Sequence, residues 1–366
     1  MLDRAEVLVI NPHLEVIRCS DDEVIVKHGI RSLFSEVITD EGRTKLMGRV
    51  LDRLNTPGSL ADLLAEDVIA PDEAEPTGTL LDYLAVRKVL IQPRQDLTIA
   101  YLDTLMANDG AATHALANAR IGLVGAGFLG TRLARQLAGF NPKEILLLDQ
   151  RRVEDAPEGR LFGVDQSKIA VGEPYVTLLQ RQLGADGFIV ADARAQSMTE
   201  EASLLALFES SDFVVCALES FSPATLHAVN AAAIQLRKPW MSIFVDGSQA
   251  TVGPTYIPGE TSCYLEFEVQ SEASHTRQDE YLLYKEHIQA NGHVHARPVL
   301  PPYSDVAASL GAISTLRFLL SGTSFTVGRA VHVDFERMSF DYQDVLRVPR
   351  CPACDGLRAA YRHTFL

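Results

Sequence analysis

The stretch Ile121-Gly122-Leu123-Val124-Gly125-Ala126-Gly127-Phe128-Leu129-Gly130 runs an apolar segment directly into three glycines spaced G-x-G-x-x-G. This order predicts a buried strand, a tight turn and the opening of a helix near Thr131. Gly125 permits the turn, Gly127 lets backbone amides approach a phosphate chain, and Gly130 lets the helix pack closely on the strand. The helix N-terminus then offers free N–H groups to an anion. A second apolar run, Ile145–Leu148, ends on Asp149, nineteen residues after Gly130, where a carboxylate can accept ribose hydroxyls. Strand, glycines, helix, strand and terminal acid in this order predict a nucleotide site rather than a glycine turn of structural use alone.

Outward from this core, residues 119 to about 265 alternate in pattern. Strands are expected at 121–124, 145–148, 188–190, 213–217 and 240–245, and helices at 131–138, 172–183, 201–208 and 223–236. Such alternation implies an α/β fold, a Rossmann-like doubly wound and mostly parallel sheet with helices on both faces. Residues 268–300 are polar and weakly patterned and read as a long loop over the ligand face. Val306–Leu320 reads as a helix and Ala330–Phe335 as a strand.

Residues 1–92 read as a separate small α+β domain of winged-helix type, leaving 93–366 as the nucleotide-binding domain. Val16–Cys19 and Val24–Lys27 suit a hairpin, and Ile30–Ile38 supplies a third strand. Helices are expected at Thr44–Leu54, Ser59–Glu66 (with Ser59 as N-cap) and Thr79–Val86, before a last strand at Val89–Ile91. Asp67–Pro76, with two prolines and four acids, reads as a loop.

The 366 residues suffice for two domains and a sizeable core, and 47% hydrophobic with 22% charged residues is an ordinary globular balance. A net charge of −15 argues against a nucleic-acid partner, since phosphate contacts require a basic surface. No apolar run approaches membrane-spanning length, the first residues carry no signal-peptide pattern, and five cysteines form no disulfide framework. The expectation is a cytoplasmic protein with no membrane partner.

Arg160 and Lys168 fall in the connection after Asp149, and Glu219 follows the strand at 213–217. Ligands in open parallel sheets bind at strand C-termini. An arginine and a lysine there can neutralise a triphosphate while Glu219 holds Mg²⁺; the alternative is that both cations are solvated loop charges. Cys351-Pro-Ala-Cys354 has the spacing of half a tetrahedral zinc site, and Cys263, with Glu266 three residues on, is the candidate for the other half. Reduced free thiols are the alternative. Cys216, inside a strand, reads as a core residue. His275, His287, His293 and His295 lie in the polar stretch and read as solvated side chains.

Together these features resemble the ThiF/MoeB superfamily, bacterial relatives of ubiquitin-activating enzymes, over residues about 94–356. The resemblance rests on Gly125–Gly130, Asp149, Arg160 within Glu154–Leu161, Val171–Pro174, Val214–Ser220, Val252–Tyr264 and Leu346–Cys354. The last two stretches are most similar to the branch that modifies ribosomally made peptides. That branch takes in the enzyme adenylating microcin C, the pantocin A enzyme and proteins presenting precursors to cyclodehydratases. The resemblance implies ATP-dependent adenylation of a carboxylate and a homodimer. It makes Arg160 the group stabilising departing pyrophosphate, and Arg94 an arginine finger from the dimer partner. Residues 1–92 resemble a PqqD-like domain, which implies capture of a leader peptide as an added strand near Val24–Lys27 or Ile30–Phe34.

Four positions depart from the family pattern. Tyr175 stands where a lysine is expected, Glu219 replaces an aspartate, Pro157 an asparagine, and Glu266 a cysteine. Two functions therefore stand side by side: an ATP-using peptide-modifying enzyme, and a non-catalytic partner presenting a precursor to a separate cyclodehydratase. A nicotinamide-dependent oxidoreductase shares the glycines and Asp149 but leaves the cysteines and the N-terminal domain without a role.

Overall fold

The computed structural model describes residues 5–33, 35–93, 101–102, 111–154, 169–188, 190–275, 277–291 and 300–357. The chain divides into two compact units, Met1–Thr113 and His114–Leu366.

In the first unit, β1 (Val9–Ile10) pairs with β5 (Leu90–Ile91), while β2 (Glu15–Arg18), β3 (Glu23–Lys27) and β4 (Ser35–Thr39) form an antiparallel meander. Alternation along β3 sends Val24 and Val26 inward, beside Ile38 of β4. They meet Met47, Val50 and Leu51 of α1 (Leu46–Arg53), Leu63 of α2 (Leu60–Ala65), and Leu81 and Leu84 of α3 (Ala74–Val86). Ser59 caps α2 as expected: its hydroxyl accepts from Asp62 N (3.2 Å), and Asp62 Oδ2 accepts from Ser59 N (2.7 Å).

Two expectations change here. The stretch Asp67–Pro76 is only partly loop, because a 3-10 turn at Pro71–Glu73 leads into α3 from Ala74. Pro76 sits in the first helical turn, where its missing N–H costs no hydrogen bond. The expected peptide edge also moves. Val24–Lys27 lies in the central strand, with β2 on one side and β4 on the other, so its ladder groups are already paired. Ile30–Leu33 lies outside any strand, and Phe34 is outside the described residues.

The second unit begins within α4 (Ala111–Asn118), which leads into β6 (Arg120–Val124), α5 (Phe128–Ala138), β7 (Glu144–Leu148), α6 (Tyr175–Ala185) and β8 (Val190–Arg194). The chain continues through α7 (Glu201–Ser210), β9 (Phe213–Leu218), α8 (Pro223–Leu236), β10 (Trp240–Asp246) and β11 (Gln249–Tyr256). It ends with α9 (Tyr264–Ser274), α10 (Gln278–Asn291), α11 (Pro301–Ser321), β12 (Arg329–Asp334) and β13 (Ser339–Asp344).

The eight strands form one sheet, ordered β13-β12-β11-β10-β9-β6-β7-β8. Strands β10, β9, β6, β7 and β8 are parallel, and β11–β13 add an antiparallel flank. The expected α/β, Rossmann-like architecture is thus present, with both faces buried. Leu204, Leu207 and Phe208 of α7 and Leu226 and Val229 of α8 pack on Leu146, Val214 and Cys216. Helices α5 and α11 pack against each other, and Gln136 donates to Ser309 (3.1 Å) across them.

The long loop expected at 268–300 is mostly helical: α9 and α10 occupy 264–274 and 278–291, while 292–299 lie outside the described residues. Three of its charged residues, Glu268, Glu272 and Lys285, are paired between helices. Glu268, with a side chain 4% exposed, meets Lys285 of α10 at 2.9 Å and His227 of α8 at 2.9 Å. Lys285 also pairs with Glu272, and Tyr264 donates to Glu268 (3.4 Å).

Burial disfavours the Glu268 carboxylate, but its bonds to His227 and Lys285 outweigh this and hold it below the usual carboxylate range. Its contribution to stability is therefore complete above the unfolded value of about 4.3 and is lost as pH falls through the lower folded value. Lys285→Met leaves that carboxylate short of a buried partner and should cost about 3 kcal/mol near neutral pH. Chemical denaturation should show this deficit shrinking in acid; a deficit of the same size at about pH 3 and about pH 7 contradicts the assignment.

Candidate functional site

Strand order reverses between β6 and β9, which places a crevice at their C-terminal ends. Beyond Val124 the chain turns at Gly125 with φ +98°, and a Cβ there would stand 2.1 Å from the Ala217 carbonyl oxygen. Only glycine allows both that conformation and that approach to β9. At Gly130 a Cβ would stand 2.0 Å from the Gly125 carbonyl oxygen, which accounts for the close packing of the helix. Helix α5 begins at Phe128, three residues before its expected start.

The close approach at Gly127 is to the protein's own carboxylate. A Cβ at that position would meet Glu219 Oε1 at 2.2 Å. Glu219 follows β9 and accepts from Leu129 N at 3.1 Å, in the first turn of α5. Asp149 follows β7, where Oδ2 accepts from Ala126 N (2.8 Å) and Oδ1 from Arg151 N (2.8 Å). Both acids are buried, Asp149 at 0% exposure and Glu219 at 7%.

Between them lies Arg151, which the sequence reading did not single out. Nη2 is 2.6 Å from Asp149 Oδ2 and Nη1 is 2.6 Å from Glu219 Oε2, while Nε donates to both Asp149 oxygens (3.0 and 3.1 Å). The guanidinium stands 5.3 Å from the centre of the Tyr175 ring, and the Arg151 carbonyl accepts from Tyr175 N (3.1 Å). Burial disfavours the guanidinium charge, but Glu219 and Asp149 more than offset this and hold Arg151 protonated well above the ordinary arginine range. The missed signal was a cation two residues past a strand-terminal acid, close enough to fold back onto it.

The described ends of the connection after Asp149 are tied to each other by backbone bonds. Val153 N donates to the Glu173 carbonyl (2.9 Å) and Gly172 N to the Val153 carbonyl (2.8 Å), while Arg181 engages Glu173 at 2.5 Å. Arg152 donates to the Gly172 carbonyl (2.8 Å). The structure thus brings Gly125, Gly127, Gly130, Asp149 and Glu219 together. Arg94, Pro157, Arg160 and Lys168 lie outside the described residues.

A second cluster joins Cys263, Glu266, Cys351 and Cys354, all buried, with ligand atoms within 4.8 Å of one another. Cys263 is the N-cap of α9, and its N–H donates to Glu266 Oε2 (2.7 Å), while Val348 N donates to Oε1 (2.6 Å). Cys263 Sγ and Cys351 Sγ are 3.8 Å apart, and Cys354 Sγ is 3.4 Å from Glu266 Oε2. Tetrahedral zinc with ordinary Zn–S and Zn–O lengths has edges of about 3.8 Å and about 3.5 Å, so the donors fit such an ion. Burial pushes the Cys263 thiol up to about 11, and burial likewise raises Cys354. Cys216 is fully buried in β9, as expected, and burial raises its thiol too. Among the described residues no histidine belongs to this cluster; His275 stacks on Tyr281 (4.8 Å), and His293 and His295 lie outside the described residues.

The ThiF family model matches residues 102–354. Among solved structures, the chain is similar to E. coli MccB with ATP, at 18% identity and a TM-score of 0.67, over 95% of this chain and 99% of that one. The microcin C7 biosynthetic enzyme MccB in complex with N-formylated MccA gives 19% identity and a TM-score of 0.69 over the same shares. A heterocyclase in complex with substrate and cofactor gives 16% identity and a TM-score of 0.64, over 96% of this chain and 40% of that one. No curated protein matches the sequence. Among the described residues, no helix is long and apolar enough to cross a membrane.

Proposed function

The chain belongs to the ThiF family, and from that premise we propose that it uses ATP to activate a carboxylate of a ribosomally made precursor peptide. The observation that carries this reading is the convergence of Asp149, Glu219 and the N-terminus of α5 at one crevice. Asp149 accepts the ribose hydroxyls, and the first N–H groups of α5 receive phosphate. Glu219 is the hard oxygen donor that would hold Mg²⁺, which would screen the phosphate charge. Arg160 and Lys168 supply further positive charge, and Arg94 comes from a second copy of the chain in a homodimer. In adenylation, a peptide carboxylate oxygen bonds to the α-phosphorus as the bond to pyrophosphate breaks, leaving an acyl-adenylate. Phosphorylation of the same carboxylate would release ADP instead. The MccB structures with ATP and with MccA support both halves of the reading.

The PqqD-like role of the N-terminal unit, leader capture, is supported by an apolar face on its meander. Ile17, Ile25 and Val37 align across β2, β3 and β4, and Ile17 and Val37 are 48% and 58% exposed. The outer strands of this sheet are β2 and β4, so an added peptide strand pairs with one of them, not with β3.

Zinc belongs to the reading as a structural ion, which Cys263, Cys351, Cys354 and Glu266 would hold, joining α9 to the C-terminal turn. A second function, presentation of the precursor to a separate cyclodehydratase, is favoured by one feature: Glu219 already occupies the Leu129 N–H.

Incubation of the full chain with Mg-ATP and its precursor should yield AMP or ADP that depends on the peptide; neither product would leave the presenting role. Val37→Asp should weaken precursor binding about tenfold with folding unchanged, as loss of one apolar contact in an interface predicts. Equal affinity would remove the peptide from this face. Elemental analysis of purified protein should give one zinc per chain, with Cys351→Ser losing the ion and melting earlier. Metal-free protein with the melting point of the metal-loaded form would eliminate the zinc assignment.

A further inference from the structure

We propose that Arg151 is a further cation that receives the nucleotide's phosphates, acting before binding as the counter-ion of the two acids it must later release. The inference rests on the ATP reading above and names a residue that the reading leaves without a role.

Two buried carboxylates share this one guanidinium. The excess negative charge rests on the N–H groups of Ala126 and Leu129, at the turn and first helical residues where an anion is expected. A bound nucleotide needs the same groups. Ribose hydroxyls need the Asp149 oxygens, Mg²⁺ needs Glu219, and phosphate needs the α5 N-terminus. Each of these contacts displaces a bond that Arg151 or Glu219 now makes.

The displaced guanidinium has a short path to the phosphates. Its main chain is fixed on both sides, by the Arg151 N–H on Asp149 Oδ1 and by its carbonyl on Tyr175 N, so only the side chain has to turn. That side chain is one-third exposed (33%), whereas both partner carboxylates are buried. Tyr175 flanks it at 5.3 Å and keeps it over the crevice. Among the described residues, the neighbouring cations Arg152, Arg181 and Arg194 are committed elsewhere, to the Gly172 carbonyl, Glu173 and Asp192. A guanidinium pairs with phosphate as well as with carboxylate, so the exchange preserves charge pairing. Glu219, once Arg151 leaves it, would be compensated by the Mg²⁺ it holds.

The test is calorimetric titration of Mg-ATP and of adenosine into the wild type, Arg151→Gln, Arg151→Lys and the double variant Arg151→Gln/Tyr175→Lys, with unfolding curves for each. Arg151→Gln should lower ATP affinity about tenfold or more, the usual effect of one charged hydrogen bond, and should leave adenosine affinity nearly unchanged or higher. Lysine at 175 should recover part of the ATP affinity by placing a cation beside the same crevice. If Arg151→Gln unfolds, Arg151→Lys decides the matter, since it keeps the charge and loses the fork; its ATP-to-adenosine preference should fall severalfold. An unchanged preference, or tighter ATP binding without Arg151, overturns the inference and leaves the ATP reading standing. Equal losses for both ligands overturn it too, as a structural effect only. A wild-type chain that binds no ATP overturns both.

Discussion

Asp149 and Glu219, both nearly without solvent exposure, share the single guanidinium of Arg151 beneath the glycine loop. Burying charges costs several kcal/mol each unless partners replace water, and three groups with one positive charge cannot balance alone. The N–H groups of Ala126 and Leu129 supply the remainder, so the loop and the first turn of α5 take their positions partly from these acids. The glycines follow from this arrangement. A side chain at Gly127 would collide with Glu219, and one at Gly125 with the backbone of β9.

The same arrangement sets the terms of any ligand binding. The donors that hold Glu219 are those a phosphate would use, and the acid that holds Arg151 is the one a ribose would use. Nucleotide affinity is thus a difference between two well-paired states, and it depends on what the metal and phosphates return for the bonds they displace. An enzyme and a presenting protein can share this fold and differ only in the sign of that balance. The departures at Tyr175 and Glu219 bear on it directly, because both residues touch Arg151.

Much of the crevice could be read from sequence because its constraints are local. Gly125, Gly127 and Gly130 are fixed by backbone geometry, Asp149 by its place at a strand end, and Glu219 by the rule that ligands gather at strand C-termini. Arg151 carried a weaker signal, since a cation two residues past a strand-terminal acid can fold back onto that acid or point into solvent, and the spacing alone does not choose between them. Residues 268–291 were misread for a related reason. Their helices lack a clean apolar stripe where the buried Glu268 pairs with the partly buried Lys285, so polar residues stand where core is expected. Strand β11 was hidden by Gly253-Pro254, residues that usually interrupt a strand, and the register shift between Met241 and Ile243 lets β10 pair with it. In the first unit the β2–β3 hairpin, β4 and β5 were legible, but β1 was too short to show a pattern, and strand patterns do not state which strand lies at an edge.

The structure of the full chain solved with bound Mg-ATP tests the central claim most directly. The account predicts ribose hydroxyls on Asp149, phosphate on the N–H groups that open α5, Glu219 turned to the metal, and Arg151 moved from both acids onto the phosphates. An Asp149–Arg151–Glu219 arrangement left intact, with the crevice empty or the nucleotide bound elsewhere, would contradict it.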